Sequence, residues 1–142
     1  MENFTIACAE SCTGGLLMSR LTDFAGASAY VKGGIVAYTN EIKNKILLVD
    51  AETLKNFGAV SSQTALEMAT NVRKIFSATI GLSTTGNAGP SASEGKEIGL
   101  VYVAIVGEDF SEIKEYHFSG TRSEIKFQAA DAAFELLMRH IT

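Results

Sequence analysis

Three small nucleophilic side chains stand together near the start of the chain, in the segment Ala9-Glu10-Ser11-Cys12-Thr13-Gly14-Gly15. The two glycines would let backbone N–H groups, starting with those of Thr13 and Gly14, approach an anionic ligand at the start of a helix. Ser11 is the better candidate nucleophile, because a catalytic thiol at Cys12 would need a nearby base such as histidine. Helix capping is the commoner role for such a cluster, so this segment needs support from other residues.

A phenol and an amine follow in the segment Ala37-Tyr38-Thr39-Asn40-Glu41-Ile42-Lys43. Tyr38 stands at the end of an apolar run, and Lys43 lies about one turn into the helix that follows. A lysine kept neutral by partial burial serves as the base of a serine nucleophile in one variation of the catalytic triad. A solvated lysine on a helix surface is the ordinary alternative.

Several other segments carry groups that bind anions. The loop from Thr85 to Pro90 contains Gly86 and Gly89 and resembles a backbone nest for an anion such as phosphate, or is a plain loop. Arg122 begins the last helix, where its guanidinium would grip a phosphate through two hydrogen bonds or pair with Glu124. Ser28, in Gly26-Ala27-Ser28, is either a donor to an oxyanion or a loop cap.

Metal and cofactor binding are not expected from the cysteines and histidines. Cys8 and Cys12 have neither the C-x-x-C spacing of a redox or zinc pair nor the number needed for a disulfide framework. His117 and His140 lie far from them in sequence. We expect His117 to face solvent on an edge strand and His140 to fray with the C-terminus.

The elements that position these residues alternate between strands and helices. Strands are predicted at Phe4 to Ala9, Ile35 to Tyr38, Ala78 to Ser83, Ile98 to Val106 and Glu112 to Phe118, the last two as a hairpin. Helices are predicted from Leu16, from the N-cap candidates Thr39 and Asn40 to about Leu48, at Ala51 to Phe57, from Ser61 to Phe76 and at Thr121 to Met138.

This order of elements indicates an α/β fold, a three-layer α/β/α sandwich around a mixed sheet of about five strands. Ligands of open α/β sheets bind beyond the carboxyl ends of the strands. We therefore expect three segments to line one site: Glu10 to Gly15, Tyr38 to Lys43 and Thr84 to Pro90.

Length, composition and charge indicate which classes of protein this chain can belong to. The 142 residues carry a net charge of -4 and are 46% apolar, which suits one domain over residues 1–142. Without a basic block, neither nucleic acid nor a membrane surface is expected as a partner. No apolar run is long enough for a membrane span and no leader is evident, so we expect a cytoplasmic protein.

Six motifs, in their order along the chain, resemble the CinA C-terminal domain family of nicotinamide-nucleotide amidases. They are AESCTGG, GAS, GG-x-V-x-YTN-x-x-K, GAVS, TG-x-AGP and F-x-G-x-R. The resemblance runs from Thr5 to the last helix. It implies the same three-layer fold and the hydrolysis of nicotinamide mononucleotide to nicotinate mononucleotide and ammonia, a reaction of NAD salvage that needs no cofactor.

Residue by residue, the resemblance implies roles for positions already singled out. Ser11 would be the nucleophile, Lys43 its base and Tyr38 a proton relay, while N–H groups from Cys12 to Gly14 would hold the oxyanion. The remaining family positions, Ser28, Thr85 and Arg122, would bind substrate, and the loop glycines Gly86 and Gly89 would join them through the anion nest. The alternatives are a non-catalytic nucleotide-binding module of the same fold and a hydrolase that uses the Cys12 thiol.

The chain also departs from the family pattern. Asn87 stands in place of an apolar residue, Ser91 to Ser93 replace a glycine-rich continuation, Glu97 replaces a proline and Lys126 replaces an arginine. We therefore expect an altered phosphate loop. The sequence begins close to its first strand, without the helix that usually precedes it, so we also expect an uncovered flank and a homo-oligomer.

Overall fold

The computed structural model describes residues 3–142, which form five strands and five α-helices. The strands are β1 (Ile6–Glu10), β2 (Val31–Val36), β3 (Ile80–Gly86), β4 (Leu100–Val106) and β5 (Ser111–His117). The helices are α1 (Leu16–Leu21), α2 (Asn40–Lys45), α3 (Ala51–Phe57), α4 (Ser62–Ile75) and α5 (Arg122–Ile141).

All five strands belong to one mixed sheet with the order β2-β1-β3-β4-β5. β1 pairs in parallel with β2 and β3, whereas β4 pairs antiparallel with β3 and β5. Leu17 of α1 and Ile125 of α5 are buried on one face of the sheet, and Met68 and Val72 of α4 on the other. The predicted three-layer α/β/α fold and the β4–β5 hairpin are confirmed.

All five strands differ from the prediction by a few residues at one or both ends, most of all β2 and β3. β2 spans Val31–Val36 rather than Ile35 to Tyr38, because Gly33 and Gly34, which were expected to precede the strand, pair with β1. A Cβ atom on Gly34 would lie 2.7 Å from the Met18 side chain, so the missing side chain makes room for α1. β3 extends to Gly86 because its last residues pair with β4.

Hydrogen bonds at the helix ends test further predictions. The Thr39 hydroxyl accepts from the Ile42 N–H at 3.3 Å, which confirms Thr39 as the N-cap of α2. α2 ends at Lys45 rather than near Leu48, because Leu48 adopts a left-handed backbone with φ 59°. The prediction that His140 frays is wrong: its ring stacks on Phe110 with centroids 4.3 Å apart.

Helix α4 packs so closely on β3 that a glycine is required between them. A Cβ atom on Gly81 would lie 2.0 Å from the backbone oxygen of Ala69, which cannot rotate away. We expect Gly81→Ala to lower the free energy of unfolding by about 3 kcal/mol, since overpacking must displace the helix. Urea denaturation measures the change, and Ser19→Ala on the exposed face of α1 is the control, expected within about 0.5 kcal/mol of the parent. A Gly81→Ala protein as stable as that control would contradict the close packing.

No helix within residues 3–142 is both long enough and apolar enough to cross a membrane.

Candidate active site

A cavity of about 330 Å³ opens beyond the carboxyl ends of β1 and β3, within the size range of small-molecule sites. All three segments expected to form a common site contribute to it. The lining residues are Ser11, Cys12, Tyr38, Asn40, Lys43, Ala59, Val60, Thr85, Gly86, Asn87, Ala88, Gly89, Ser91, Ser93, Glu94 and Arg122.

Ser11 and Lys43 are in direct contact at the base of the cavity. The Ser11 N–H donates to the Thr84 carbonyl at 3.0 Å, which fixes Ser11 at the end of β1. The Lys43 side chain extends inward from α2, and its Nζ lies 2.9 Å from the Ser11 Oγ. The residue is 1% exposed, so the alternative of a solvated surface lysine is wrong.

The surroundings of Lys43 favour its neutral form. Burial lowers the pKa of the Lys43 ammonium below its ordinary value. Its Nζ also lies 3.0 Å from the Ala37 carbonyl and 3.5 Å from the Tyr38 carbonyl. When Lys43 is neutral, two N–H bonds can serve these carbonyls, and the nitrogen lone pair is then free to accept the Ser11 proton.

The Cys12 thiol is buried beside this pair. Burial raises the pKa of the thiol to about 12, so the reactive thiolate is scarce at neutral pH. Thr84 and Lys43 lower that pKa, but the effect of burial is larger. The environment of Cys12 therefore disfavours a thiol nucleophile.

The loop after Ser11 is held by Glu10, a carboxylate with no exposed surface. Glu10 accepts from the Thr13 hydroxyl at 2.6 Å and from the N–H groups of Gly15 and Leu17 at 3.1 and 2.9 Å. Its other oxygen accepts from the Met18 N–H at 3.0 Å. Glu10 thus satisfies the otherwise free N–H groups at the start of α1.

These bonds limit which N–H groups remain for an oxyanion. The Gly14 N–H donates to the Ser11 carbonyl at 3.1 Å, and neither Thr13 nor Gly14 lines the cavity. Within residues 3–142, no other residue accepts a hydrogen bond from the Cys12 N–H. Because Cys12 lines the cavity, its N–H is the donor left beside Ser11.

Tyr38 and Arg122 meet at the mouth of the cavity. The Arg122 guanidinium donates through Nη2 to the Tyr38 hydroxyl at 2.5 Å and through Nη1 to the Gly89 carbonyl. The alternative ion pair between Arg122 and Glu124 does not form, because Glu124 accepts from the Thr121 N–H at 2.9 Å and caps α5. Since the Tyr38 oxygen accepts from Arg122, the Tyr38 proton remains free to donate.

The loop from Thr85 to Gly89 forms another wall of the cavity. The Thr85 hydroxyl donates to the Ala59 carbonyl at 2.8 Å and ties β3 to the segment before α4. Among the described residues, nothing accepts a hydrogen bond from the N–H groups of Ala88 and Gly89. Gly86 and Gly89 both line the cavity, with Gly89 at φ 79°.

Asn87 and Ser93 belong to an ordered hairpin beside this loop. Asn87 is 5% exposed, and its amide donates to the carbonyls of Ser93, Lys96 and Glu97 at 3.1–3.3 Å. The Ser93 hydroxyl donates back to the Asn87 side-chain oxygen. Asn87 therefore holds the hairpin of residues 93–96 against the cavity.

Some singled-out residues lie outside the cavity. Ser28 is exposed in a short 3₁₀ turn before β2, and the structure does not bring it to the cavity, because β2 carries the chain to that edge only afterwards. Lys126 lines a separate depression beside Gly14. His117 is on edge strand β5 with its side chain 57% exposed, as predicted, and bonds to Glu97 and Glu115.

Sequence reasoning did not assign a functional role to Glu10 or Glu94. A carboxylate at the end of the apolar strand β1 was a usable signal, because a charge there needs partners inside the fold. Asn40 lines the cavity within the segment Tyr38 to Lys43, which was expected there. Glu94 lies outside the three expected segments and lines the cavity through contacts distant in sequence.

The sequence of the chain is similar to those of known proteins. The profile of the CinA C-terminal domain matches residues 1–141. The chain is 52% identical over 132 residues to a competence-damage inducible protein of Desulforamulus reducens, covering 93% of this chain and 32% of that one. It is 45% identical over 137 residues to a CinA-like protein of Syntrophomonas wolfei, covering 96% and 33%. The chain thus spans about a third of the length of these curated relatives.

Solved structures show the same fold. The competence/damage inducible protein CihA of Agrobacterium tumefaciens superposes with a TM-score of 0.93 at 40% identity, over 96% of this chain and 85% of that chain. A CinA superfamily protein of Escherichia coli superposes with a TM-score of 0.95 at 30% identity, over 99% and 82%.

Proposed function

The chain belongs to the CinA C-terminal domain family, and on that premise we propose that it hydrolyses the carboxamide of nicotinamide mononucleotide, giving nicotinate mononucleotide and ammonia. The family is linked to nicotinamide-nucleotide amidase activity. The observation that carries the proposal is the 2.9 Å contact between the Ser11 Oγ and the Lys43 Nζ at the base of a cavity. A serine with an adjacent, neutral amine is an activated nucleophile suited to amide hydrolysis.

In the first half of the proposed reaction, the Ser11 Oγ attacks the carboxamide carbon while the neutral Lys43 amine takes the hydroxyl proton. The carbonyl oxygen becomes an oxyanion, for which the N–H group of Cys12 is the available donor. Ammonia then leaves with a proton supplied by Lys43 or relayed through the free Tyr38 hydroxyl. In the second half, water attacks the resulting acyl ester and Lys43 again accepts the proton. Lys43 returns that proton to the Ser11 oxygen as the ester bond breaks, which releases nicotinate mononucleotide.

The rest of the cavity offers groups for the ribose phosphate. Arg122 supplies a guanidinium at the cavity mouth, and the N–H groups of Ala88 and Gly89 are further anion donors. The Thr85 hydroxyl proton is engaged by Ala59, so we assign Thr85 the role of holding the cavity wall. These local donors explain how a chain with a net charge of -4 would accept an anionic substrate.

The protonation of Lys43 predicts the pH dependence of the reaction. Lys43 acts as a base only when neutral, so kcat/KM is expected to rise with pH as the ammonium loses its proton. Because burial lowers the Lys43 pKa, the midpoint is expected below the value of about 10.4 for an exposed lysine. Initial rates of ammonia release across a pH series measure the midpoint. A rise centred on the ordinary lysine value would contradict a buried neutral base.

The experiment that tests the function is ammonia release from nicotinamide mononucleotide by the purified protein, with mononucleotide binding measured in parallel by calorimetry. If the protein is an amidase, we expect one ammonia and one nicotinate mononucleotide for each nicotinamide mononucleotide consumed. Binding without ammonia would overturn the amidase proposal and leave a nucleotide-binding module.

A further inference from the structure

Glu94 is the one acidic side chain that lines the cavity among residues 3–142. It stands at the tip of the hairpin closed by the Ser93 and Lys96 bridge, where Glu94 and Gly95 both have left-handed backbones with φ 57° and 69°. A left-handed backbone is less favourable for a residue with a side chain than for glycine, and residues held in this conformation cluster at functional sites.

The Glu94 carboxylate is held firmly and remains charged. One oxygen accepts from the Ala59 N–H at 2.8 Å, and the other accepts from the Val60 N–H at 3.0 Å and from the Lys96 Nζ at 3.3 Å. Together these donors outweigh burial and lower the Glu94 pKa. Gly58 permits this approach, since a Cβ atom there would lie 2.6 Å from the carboxylate.

The charge of Glu94 reaches the reacting end of the cavity. Its side chain is 27% exposed, so solvent screens the charge only in part. Glu94 lines the same cavity of about 330 Å³ as Ser11 and Lys43, so its charge acts on a ligand group held against that pair. Glu94 also raises the pKa of Lys43, although burial has the larger effect and lowers it. The ligand group therefore lies close to a negative charge, while Arg122 keeps the cavity mouth positive.

This arrangement bears on the chemical change in the proposed reaction, on which the inference rests. Hydrolysis converts a neutral carboxamide into a carboxylate at the same place, and the ribose phosphate is unchanged. We propose that Glu94 is a specificity-determining residue that disfavours the anionic acid relative to the neutral amide and so promotes product release. Its negative charge repels the new carboxylate and leaves the shared phosphate contacts intact.

The test measures the dissociation constants of nicotinamide and nicotinate mononucleotides by calorimetry in the Ser11→Ala background, where turnover is blocked. The ratio of the two constants cancels the common phosphate and ribose contributions. Adding Glu94→Gln is expected to shift the ratio roughly three- to tenfold toward the acid, meaning that the acid binds more tightly relative to the amide. Removal of one partly screened charge predicts a change of this size. Product inhibition of the otherwise unmodified protein by nicotinate mononucleotide should strengthen by a similar factor in Glu94→Gln.

Two matched variants separate charge from loop structure. Lys96→Met removes the hydrogen bonds from the Lys96 Nζ to the Phe57 and Val60 carbonyls and the ion pair with Glu94, but it keeps the Glu94 charge. It loosens the same hairpin, so it is expected to leave the ratio unchanged or shift it toward the amide. Glu94→Asp keeps the charge and is expected to stay within about twofold of the parent ratio.

An unchanged ratio in a folded Glu94→Gln protein would overturn the inference, as would an equal shift toward the acid in Lys96→Met. If Glu94→Gln fails to fold, the two dissociation constants are instead measured in the Ser11→Ala protein at increasing salt concentration. Salt screens the Glu94 charge, so binding of the acid should strengthen relative to that of the amide. A ratio that does not change with salt would overturn the inference. Ammonia release with an unchanged ratio would sink only the role of Glu94. A shifted ratio without ammonia release by the parent would support charge discrimination and overturn the amidase proposal.

Discussion

Replacing Lys43 with methionine is expected to reduce ammonia release from nicotinamide mononucleotide by a factor of about 10³ or more. Methionine retains most of the buried length of the side chain but removes the nitrogen 2.9 Å from the Ser11 Oγ. Without that base, the serine hydroxyl is a weak nucleophile at neutral pH. Initial rates of ammonia production, with circular dichroism as the check on folding, measure the loss.

Ser11→Ala is expected to cost a similar factor, and the double variant little more than either single one. Residues that act as one unit have strongly non-additive effects on rate, because either change removes the same activated nucleophile. Multiplicative losses in the double variant would contradict a shared role. Mononucleotide binding should persist in Ser11→Ala, since the proposed phosphate contacts lie elsewhere in the cavity.

Two controls accompany these variants. Lys45→Met, two positions further along α2, changes a lysine whose side chain is 66% exposed and should leave the rate unchanged. Cys12→Ala should retain activity within about tenfold, because the thiol is not the proposed nucleophile. Activity that survives Ser11→Ala but disappears in Cys12→Ala would establish the thiol hydrolase and reject the Ser11–Lys43 mechanism.

The second large effect is expected at Glu10, on stability. Glu10→Ala removes the acceptor for the Thr13 hydroxyl and for three backbone N–H groups at the start of α1. Buried donors left without partners are costly, so we expect the free energy of unfolding to fall by about 3–5 kcal/mol. Urea denaturation monitored by circular dichroism gives the change.

Glu41→Ala is the control for that experiment, because the Glu41 side chain is 69% exposed and its salt bridge with Lys45 is on the surface. Such a pair contributes at most about 1 kcal/mol. A Glu10→Ala protein as stable as Glu41→Ala would show that water or a rearranged loop satisfies the donors of α1. Since Glu10 precedes Ser11, the same variant should also impair catalysis by loosening the nucleophile.

Local signals were sufficient to predict the elements and several of the residues that meet at the cavity. Alternating apolar runs and cap residues predicted the mixed sheet, and the position of Thr39 predicted the start of α2. Ser11 and Lys43 follow adjacent parallel strands, so the topology alone brings them to one edge of the sheet. One failure was at Gly33 and Gly34, which were expected to precede β2 rather than belong to it. Their missing side chains make room for Phe76 and for Met18 of α1, and neither contact can be read from the local sequence.

The resemblance of the chain's motifs identified the family. Chain order and residue type by themselves determined the fold class and the edge of the sheet at which the candidate groups gather. They suffice because hydrophobic periodicity, turn residues and capping act between near neighbours in the chain. Only the tertiary structure decided that Lys43 is buried against Ser11, that Glu10 caps α1, that Ser28 lies apart from the cavity and that Glu94 lines it. Those outcomes depend on burial, electric fields and hydrogen bonds between segments distant in sequence, such as the 34 positions that separate Glu94 from Val60.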